Sequence, residues 1–583
     1  MSASSPCIEL SHAHVAYPGS SREALCDVSL SVQEGEYICI LGGNGSGKST
    51  LLKLIGARVP PTSGTVRVRG ISPLDPERAL SIRRQCAGVS QNPEDQIVAS
   101  TVLDDVAFGP ENLCVPHDAL VERVHDALDA LDLADCAQRD PDALSGGQQQ
   151  RMAIAGALAM HPRVLLLDEP GAMLDESARR SLRKAIHIAH DRGITVVHVT
   201  HHMDDAVDAD RVIVLQQGHI ALDGTPSHVF RQLDDPSSLG LGIPFALKAS
   251  RALHVGPQWT ISGLAEAVSR SIAAEGACGP LGRTPDSTGS ASVPADGDAI
   301  ALDSVSFYYG SRPSRWRRRP APPRAVGDIS CTVPRGRITA LVGKTGSGKS
   351  TLLELICALK APSDGSILVD GISTADSARR RELRRRIGLV GQMPERQLFA
   401  DTVREDVAFG PRNLGLDENE VDRRTRDSLA LMGLDPTDDL LESSPFALSG
   451  GQQRSVALAG VLAMHQPILV LDEPMAGLDP MGQQRLRTLM RTLSADGTTI
   501  LFVTHNMDDV VDLADHVIAL DRGRVACEGS PAQVFDTSCR SFPSELGLPS
   551  AVRLARELSA RGIELPALPL TLADLEQEVT RRV

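Results

Sequence analysis

An α/β fold written twice along one chain is predicted by three features of these 583 residues. They are a long-period internal repeat, a short apolar run leading into a glycine loop in each copy, and a second apolar run ending in two acids in each copy. Lys48 and Gln91 are answered by Lys349 and Gln392 at an offset of 301, and Ser145, Asp168 and His201 by Ser449, Asp472 and His505 at 304. A period this long marks duplication of a domain, not a stack of small units. The correspondence runs on to Pro226 and Pro531, and to Pro244 and Pro549, both at 305, so each copy includes a C-terminal extension.

The chain is too long for one ordinary core, and its 42% hydrophobic and 23% charged residues are those of a folded globular protein. The opening residues lack the basic and then apolar pattern of a signal peptide, and no run of about 18 apolar residues predicts a membrane span. Eleven cysteines, an odd number, are scattered without a CxxC pair, which reads as reduced thiols and neither a disulfide framework nor a metal site. A net charge of -15 argues against a motor gripping nucleic-acid phosphates, so no nucleic acid is expected as a partner.

The repeat and the composition divide the chain into residues 1–272, a linker at 273–298 dense in Gly, Ser, Pro, Ala and Asp, and residues 299–583. The second copy carries a basic insertion at 311–324 that the first lacks. Such a run reads either as a solvated loop or as a contact for anionic lipid or a partner.

In the first copy an apolar run ending at Leu41 enters Gly42, Gly43, Asn44, Gly45, Ser46, Gly47, Lys48, Ser49 and Thr50, and a helical pattern follows. The second copy repeats this with Gly343, Lys344, Thr345, Gly346, Ser347, Gly348, Lys349, Ser350 and Thr351. Glycines let backbone N–H groups turn inward around a polyphosphate, and the helix N-terminus adds donors and a positive dipole end. Lys48 and Lys349 are placed for the β and γ phosphates of ATP, and Ser49 and Ser350 for Mg²⁺. The runs ending in Asp168, Glu169 and Asp472, Glu473 read as strands buried on both faces of a parallel sheet. Ligands sit at the carboxyl ends of such strands, so Asp168 and Asp472 are placed to hold Mg²⁺ and Glu169 and Glu473 to polarise the attacking water.

Ser145, Gly146, Gly147 and Ser449, Gly450, Gly451, each within an LSGGQ sequence shortly before the acidic strand, resemble the signature of ATP-binding-cassette proteins. The resemblance implies two tandem P-loop NTPase domains of α/β class. Each would have a mostly parallel core sheet, an antiparallel β subdomain, a helical signature subdomain and a C-terminal extension. It also implies that Gln91 and Gln392 are Q-loop residues touching Mg²⁺, that His201 and His505 are switch histidines, and that Tyr17 and Tyr309 stack on adenine. Asp175 and Asp479 match the D-loop. In this family the signature of one half caps the nucleotide held by the other, so the two halves would pair within one chain around two ATP molecules.

After the Q-loops, the stretches Gln91 to Leu113 and Gln392 to Leu414 are similar to the ATPases of energy-coupling-factor importers of vitamins or cobalt and nickel ions. That similarity implies a peripheral place on the cytoplasmic face of the cell membrane. Its partners would be a transmembrane coupling subunit and a separate substrate-capture membrane protein. The alternatives are a tandem cassette of translation, expected to have a charged helical arm between its halves, and a sugar-importer ATPase, expected to have one degenerate acidic strand end. Two departures stand out: Gly43 is answered by Lys344, and Gln150 and Arg151 are answered by Arg454 and Ser455.

Overall fold

The computed structural model describes residues 6–17, 23–74, 76–90, 93–144, 146–171, 174, 176–200, 203–233, 239–275, 297–309, 324–536, 539, 541–543 and 546–581. Gln91, Ser145, Asp175 and His201, most of the linker and residues 311–323 of the basic insertion lie outside them. By contact the chain forms two compact units, Met1–Pro244 with Asp479–Met481, and Phe245–Leu478 with Gly482–Val583.

The first unit contains β1 (Ile8–Val15), β2 (Leu25–Val32), β3 (Tyr37–Leu41), β4 (Ser63–Val68), β5 (Cys86–Val89), β6 (Val164–Asp168), β7 (Thr195–Val199), β8 (Arg211–Gln216) and β9 (His219–Gly224). Its main sheet has the order β5-β6-β7-β3-β8-β9, parallel except for the final antiparallel pair. Strands β3 and β7 are buried along their whole length, as expected of apolar runs covered on both faces. A smaller antiparallel sheet, β2-β1-β4, alternates buried and exposed residues instead, because only one of its faces meets the core.

The second unit repeats the plan with β10 (Asp298–Tyr308), β11 (Arg324–Pro334), β12 (Ile338–Gly343), β13 (Asp364–Val369), β14 (Ile372–Ser373), β15 (Ile387–Val390), β16 (Ile468–Asp472), β17 (Thr499–Val503), β18 (His516–Asp521) and β19 (Arg524–Gly529). The sheet orders are β15-β16-β17-β12-β18-β19 and β11-β10-β13-β14. The same sheet is filled differently in the two copies. Beneath the first, Tyr37 Oη meets His198 Nδ1 at 3.1 Å, where the second has the apolar pair Ile338 and Phe502.

Register brings the strand ends level. Asp168 pairs with Val199, and Val199 with Ile40; Asp472 pairs with Val503, and Val503 with Leu341. The loops leaving the phosphate-loop strand and the acidic strand therefore open on one edge of each sheet, where open α/β sheets bind ligands.

The sequence repeat assigns residues 245–272 to the first copy, but they pack in the second unit. Ala246, Ala249, Leu264, Ala265 and Val268, from the helices Phe245–Ala252 and Ile261–Glu275, share one apolar cluster with residues of the helices Ser550–Ala560 and Leu572–Thr580. The latter contribute Ala551, Leu554, Leu558, Leu575 and Val579. Each helix alone has too narrow an apolar face to be stable, so the two extensions bury their stripes against one another. Leu264→Asp, placing a charge at a fully buried position, is expected to release the Phe245–Glu275 segment. Limited trypsinolysis is the check, with Arg251 and Arg270 becoming rapidly cleaved while ATP binding persists.

Among the described residues no helix is long and apolar enough to cross a membrane, and no group of three or more His, Cys, Asp or Glu side chains is arranged to hold a metal ion. All ten described cysteines are free thiols.

Candidate active site

Each glycine loop leads from a buried strand into a short helix, Lys48–Ile55 in the first unit and Lys349–Ile356 in the second. Gly47 and Gly348 stand just before these helices in the left-handed region, with φ of 103° and 98°. A Cβ at Gly47 would lie 2.6 Å from the Ala24 carbonyl oxygen, and one at Gly348 would lie 2.5 Å from that of Ala325, so both conformation and space demand glycine. Gly45 and Gly346, at φ of 73° and 81°, turn the loops where nothing lies within 4 Å of a built Cβ. Gly348→Ala is expected to weaken ATP binding by tenfold or more at the second loop, measured by titration with a fluorescent ATP analogue.

In both copies the lysine folds back across its own loop. Lys48 Nζ donates to the carbonyls of Gly42 at 2.8 Å and Gly43 at 2.9 Å, and Lys349 Nζ to those of Gly343 at 2.6 Å and Lys344 at 2.9 Å. Burial pushes the Lys48 ammonium below its ordinary pKa, opposed by the charges of Glu169, Asp168 and Asp479. Asp479 is counted with the first unit, although it belongs to the second copy by sequence. The hydroxyls of Ser46 and Ser347 are buried without a hydrogen-bond partner. A cation already spent on carbonyls, orphaned hydroxyls and a helix N-terminus form a cradle suited to an anion.

The acids stand where the strand ends predict. Ser49 Oγ donates to Asp168 Oδ1 at 3.1 Å, and Ser350 Oγ to Asp472 Oδ2 at 3.2 Å, an all-oxygen hydroxyl and carboxylate pair of the kind Mg²⁺ takes. Burial raises the pKa of both carboxyls; that of Asp472 is pushed up to about 6 by burial and by neighbouring Glu473. A buried carboxylate short of positive charge suits a cation, so the residues present fit the metal.

Glu169 and Glu473, with φ of 50° and 49°, hold the left-handed conformation that costs a non-glycine residue energy. The turn aims each side chain off the strand end while its N–H still bonds the neighbouring strand, at Val199 and Val503 respectively. Burial acts to raise the Glu473 pKa, yet the charge and hydrogen bond of His505, with Lys349 and Arg454, hold it below the usual carboxylate range. His505 Nδ1 lies 3.5 Å from Glu473 Oε1. The second unit thus brings Lys349, Ser350, Asp472, Glu473 and His505 to one sheet edge. The first brings Lys48, Ser49, Asp168 and Glu169 together.

Tyr17 and Tyr309 touch the ends of the loops in the same way. Tyr17 Oη lies 3.3 Å from Thr50 Oγ1, and Tyr309 Oη lies 2.9 Å from Thr351 Oγ1, with both rings partly exposed. Ser449 caps the helix Gly450–Leu462 in a capping box with Gln452, leaving Gly450 open at the N-terminus. In the first unit the corresponding helix begins at Gly146, also open, with Gly147 beside Leu174.

Two further side chains, to which the sequence assigned no role, stand beside the site. Lys360 Nζ sits 4.5 Å from the Tyr309 ring centroid and pairs with Glu354 at 2.6 Å, where the first copy has Val59 and Lys53. Arg454 reaches backbone oxygens of Gln392 and Glu473. The available signal for both was a charge placed where the other copy has none or the opposite.

The family model described as "ABC transporter" matches residues 25–172 and again 326–476. The chain belongs to the ABC transporter family. A Bifidobacterium longum protein, provisionally named an ABC transporter ATP-binding protein, is 42% identical over 535 residues, 87% of this chain. The chain spans only 64% of that relative's length. A Bacillus subtilis protein, provisionally named an HMP/thiamine import ATP-binding protein, is 31% identical over 89% of this chain and 91% of its own. The energy-coupling factor transporter ATP-binding protein EcfA2 of Streptococcus agalactiae is 43% identical over 283 residues, 48% of this chain and 98% of its own. As an ABC ATPase with two matched domains, the chain binds and hydrolyses ATP.

Proposed function

We propose that this ABC ATPase energises an importer of the energy-coupling-factor type from the cytoplasmic face of the cell membrane. It would serve a transmembrane coupling subunit and a separate substrate-capture membrane protein. The observation that carries this reading is the likeness, along most of the chain, to a protein named for HMP/thiamine import, joined by the likeness of about half of it to EcfA2.

Two ATP molecules would be held between the copies spanning residues 1–272 and 299–583, each by one phosphate loop and the opposite signature. Lys48, Asp168, Glu169 and His201 would act with Ser449, Gly450 and Gly451. Lys349, Asp472, Glu473 and His505 would act with Ser145, Gly146 and Gly147. Tyr17 and Tyr309 would stack on the adenines. Mg²⁺, held by Ser49, Gln91 and Asp168 and by Ser350, Gln392 and Asp472, would neutralise charge on the β and γ phosphates.

Glu169 and Glu473 would draw the proton from the attacking water as its oxygen bonds to the γ phosphorus and the bond to ADP breaks. Gln91 and Gln392 would relay the state of the site to the membrane partner. Loss of the γ-phosphate would release the ordering between the copies and give the stroke.

Two measurements test this. The chain carrying Glu169→Gln and Glu473→Gln should hold two ATP per chain at saturation, and a stoichiometry of one overturns the paired sites. Affinity capture from solubilised membranes should recover two membrane proteins and, on reconstitution, ATP-dependent uptake of a radiolabelled vitamin or metal ion. Recovery with ribosomes and no membrane protein overturns the importer.

A further inference from the structure

Arg454 lies on the helix that starts at the second signature, and its side chain is almost wholly buried. Its Nη2 donates to the Gln392 carbonyl at 3.2 Å and to the Glu473 carbonyl at 3.1 Å. Nη1 stands 3.9 Å from Glu395 Oε2, and a Cβ built on Gly477 would come within 3.5 Å of it. One guanidinium therefore bonds the Q-loop and the turn holding the strained glutamate, and lies beside Gly477 of the D-loop.

The arrangement is expensive. Nε of Arg454 and Oε2 of Glu395 are buried without hydrogen-bond partners, and burial lowers the pKa of the guanidinium. A buried cation with an unpaired donor contributes less stability than an apolar side chain of the same size, so packing alone does not account for it. The first copy does without it: Gln150 stands at the equivalent position, a neutral amide whose Nε2 donates to the Ser90 carbonyl at 3.3 Å.

We propose that Arg454 is a positioning residue that ties the Gln392 backbone to the Glu473 backbone, so that movement of the second signature helix or Q-loop is transmitted to the glutamate of that copy. Both hydrogens of Nη2 serve these two carbonyls, and the arginine stem carries that nitrogen two bonds further from the backbone than glutamine carries its amide nitrogen. With that strut the turn at Glu473 stays in its left-handed conformation as the Q-loop shifts, and the two copies differ in how tightly membrane contact and hydrolysis are joined. The proposal rests on the reading of Glu473 as the group that activates water.

The test labels each half separately. The full chain, with a protease site inserted in the linker, is photolabelled with 8-azido-ATP, either on ice to report binding or after turnover with orthovanadate to report hydrolysis. It is then cleaved and resolved under denaturing conditions. Arg454→Gln is expected to cut vanadate-trapped label on the second half about tenfold while binding label on both halves is unchanged. Arg454→Lys, which keeps the charge on a single nitrogen, is expected to fall between Arg454→Gln and wild type.

Unchanged trapping in Arg454→Gln, or equal loss of binding and trapping in both variants, overturns the proposal. If Arg454→Gln does not fold, Arg454→Lys carries the test, and wild-type trapping there overturns it. Glu473→Gln is the control. If it traps normally, the reading of Glu473 fails; if it is dead while Arg454→Gln is normal, only the strut fails.

Discussion

With Glu169→Gln and Glu473→Gln combined, kcat for ATP hydrolysis is expected to fall about a thousandfold while ATP still binds. Glutamine keeps the shape of the side chain and removes its basicity. The Glu473 carboxylate is kept ionised despite burial by His505, Lys349 and Arg454, so a proton acceptor is available at neutral pH. Each substitution alone is expected to remove at least half of the turnover, to a similar extent, because neither copy lacks its lysine, serine, aspartate or glutamate. Steady-state phosphate release checks this, and turnover untouched by one change and abolished by the other rules out equivalent sites.

Asp472→Asn should separate stability from activity. The folded pKa of Asp472, about 6, lies above its ordinary value of 3.8, so the folded state binds its proton more tightly than the unfolded chain. This group's contribution to stability is most favourable below pH 3.8 and is lost as pH rises through 6. At pH 7.5 the metal-free protein therefore carries a penalty of ~3 kcal/mol at most, roughly halved at pH 5. Asparagine removes it, and urea unfolding of the EDTA-treated chain should show the second unit stabilised by that order, with a smaller gain at pH 5. Magnesium-dependent turnover at the second site should be lost in the same variant. An unchanged unfolding midpoint at pH 7.5 refutes the electrostatic account.

The phosphate loops, the acidic strands and the parallel sheets were legible because each depends on neighbours in sequence. A strand that ends in Leu41 or Val342 and runs into a glycine loop needs no distant residue to be recognised. Asp168 and Asp472 were legible for the same reason, and the pairing of each with a loop serine follows once the strand ends are level. What escaped is tertiary. Arg454 registered only as a departure from the first copy, since nothing local says that its fork meets carbonyls 62 and 19 residues away in sequence. The repeat groups residues 245–272 with the copy they follow, and in the fold their apolar stripes are buried against the matching extension of the other copy. The left-handed turn at Glu169 and Glu473 was equally invisible, because glutamate carries no bias toward it.

That shared helical cluster has a mechanical consequence. With the helices Phe245–Ala252 and Ile261–Glu275 docked beside the last helices of the chain, cutting the chain between Glu275 and Gly297 should not let the pieces drift apart under native conditions. Separate polypeptides must find one another again at whatever concentration the cell supplies. Here the two extensions meet within one chain, so their contact does not depend on the concentration of the protein.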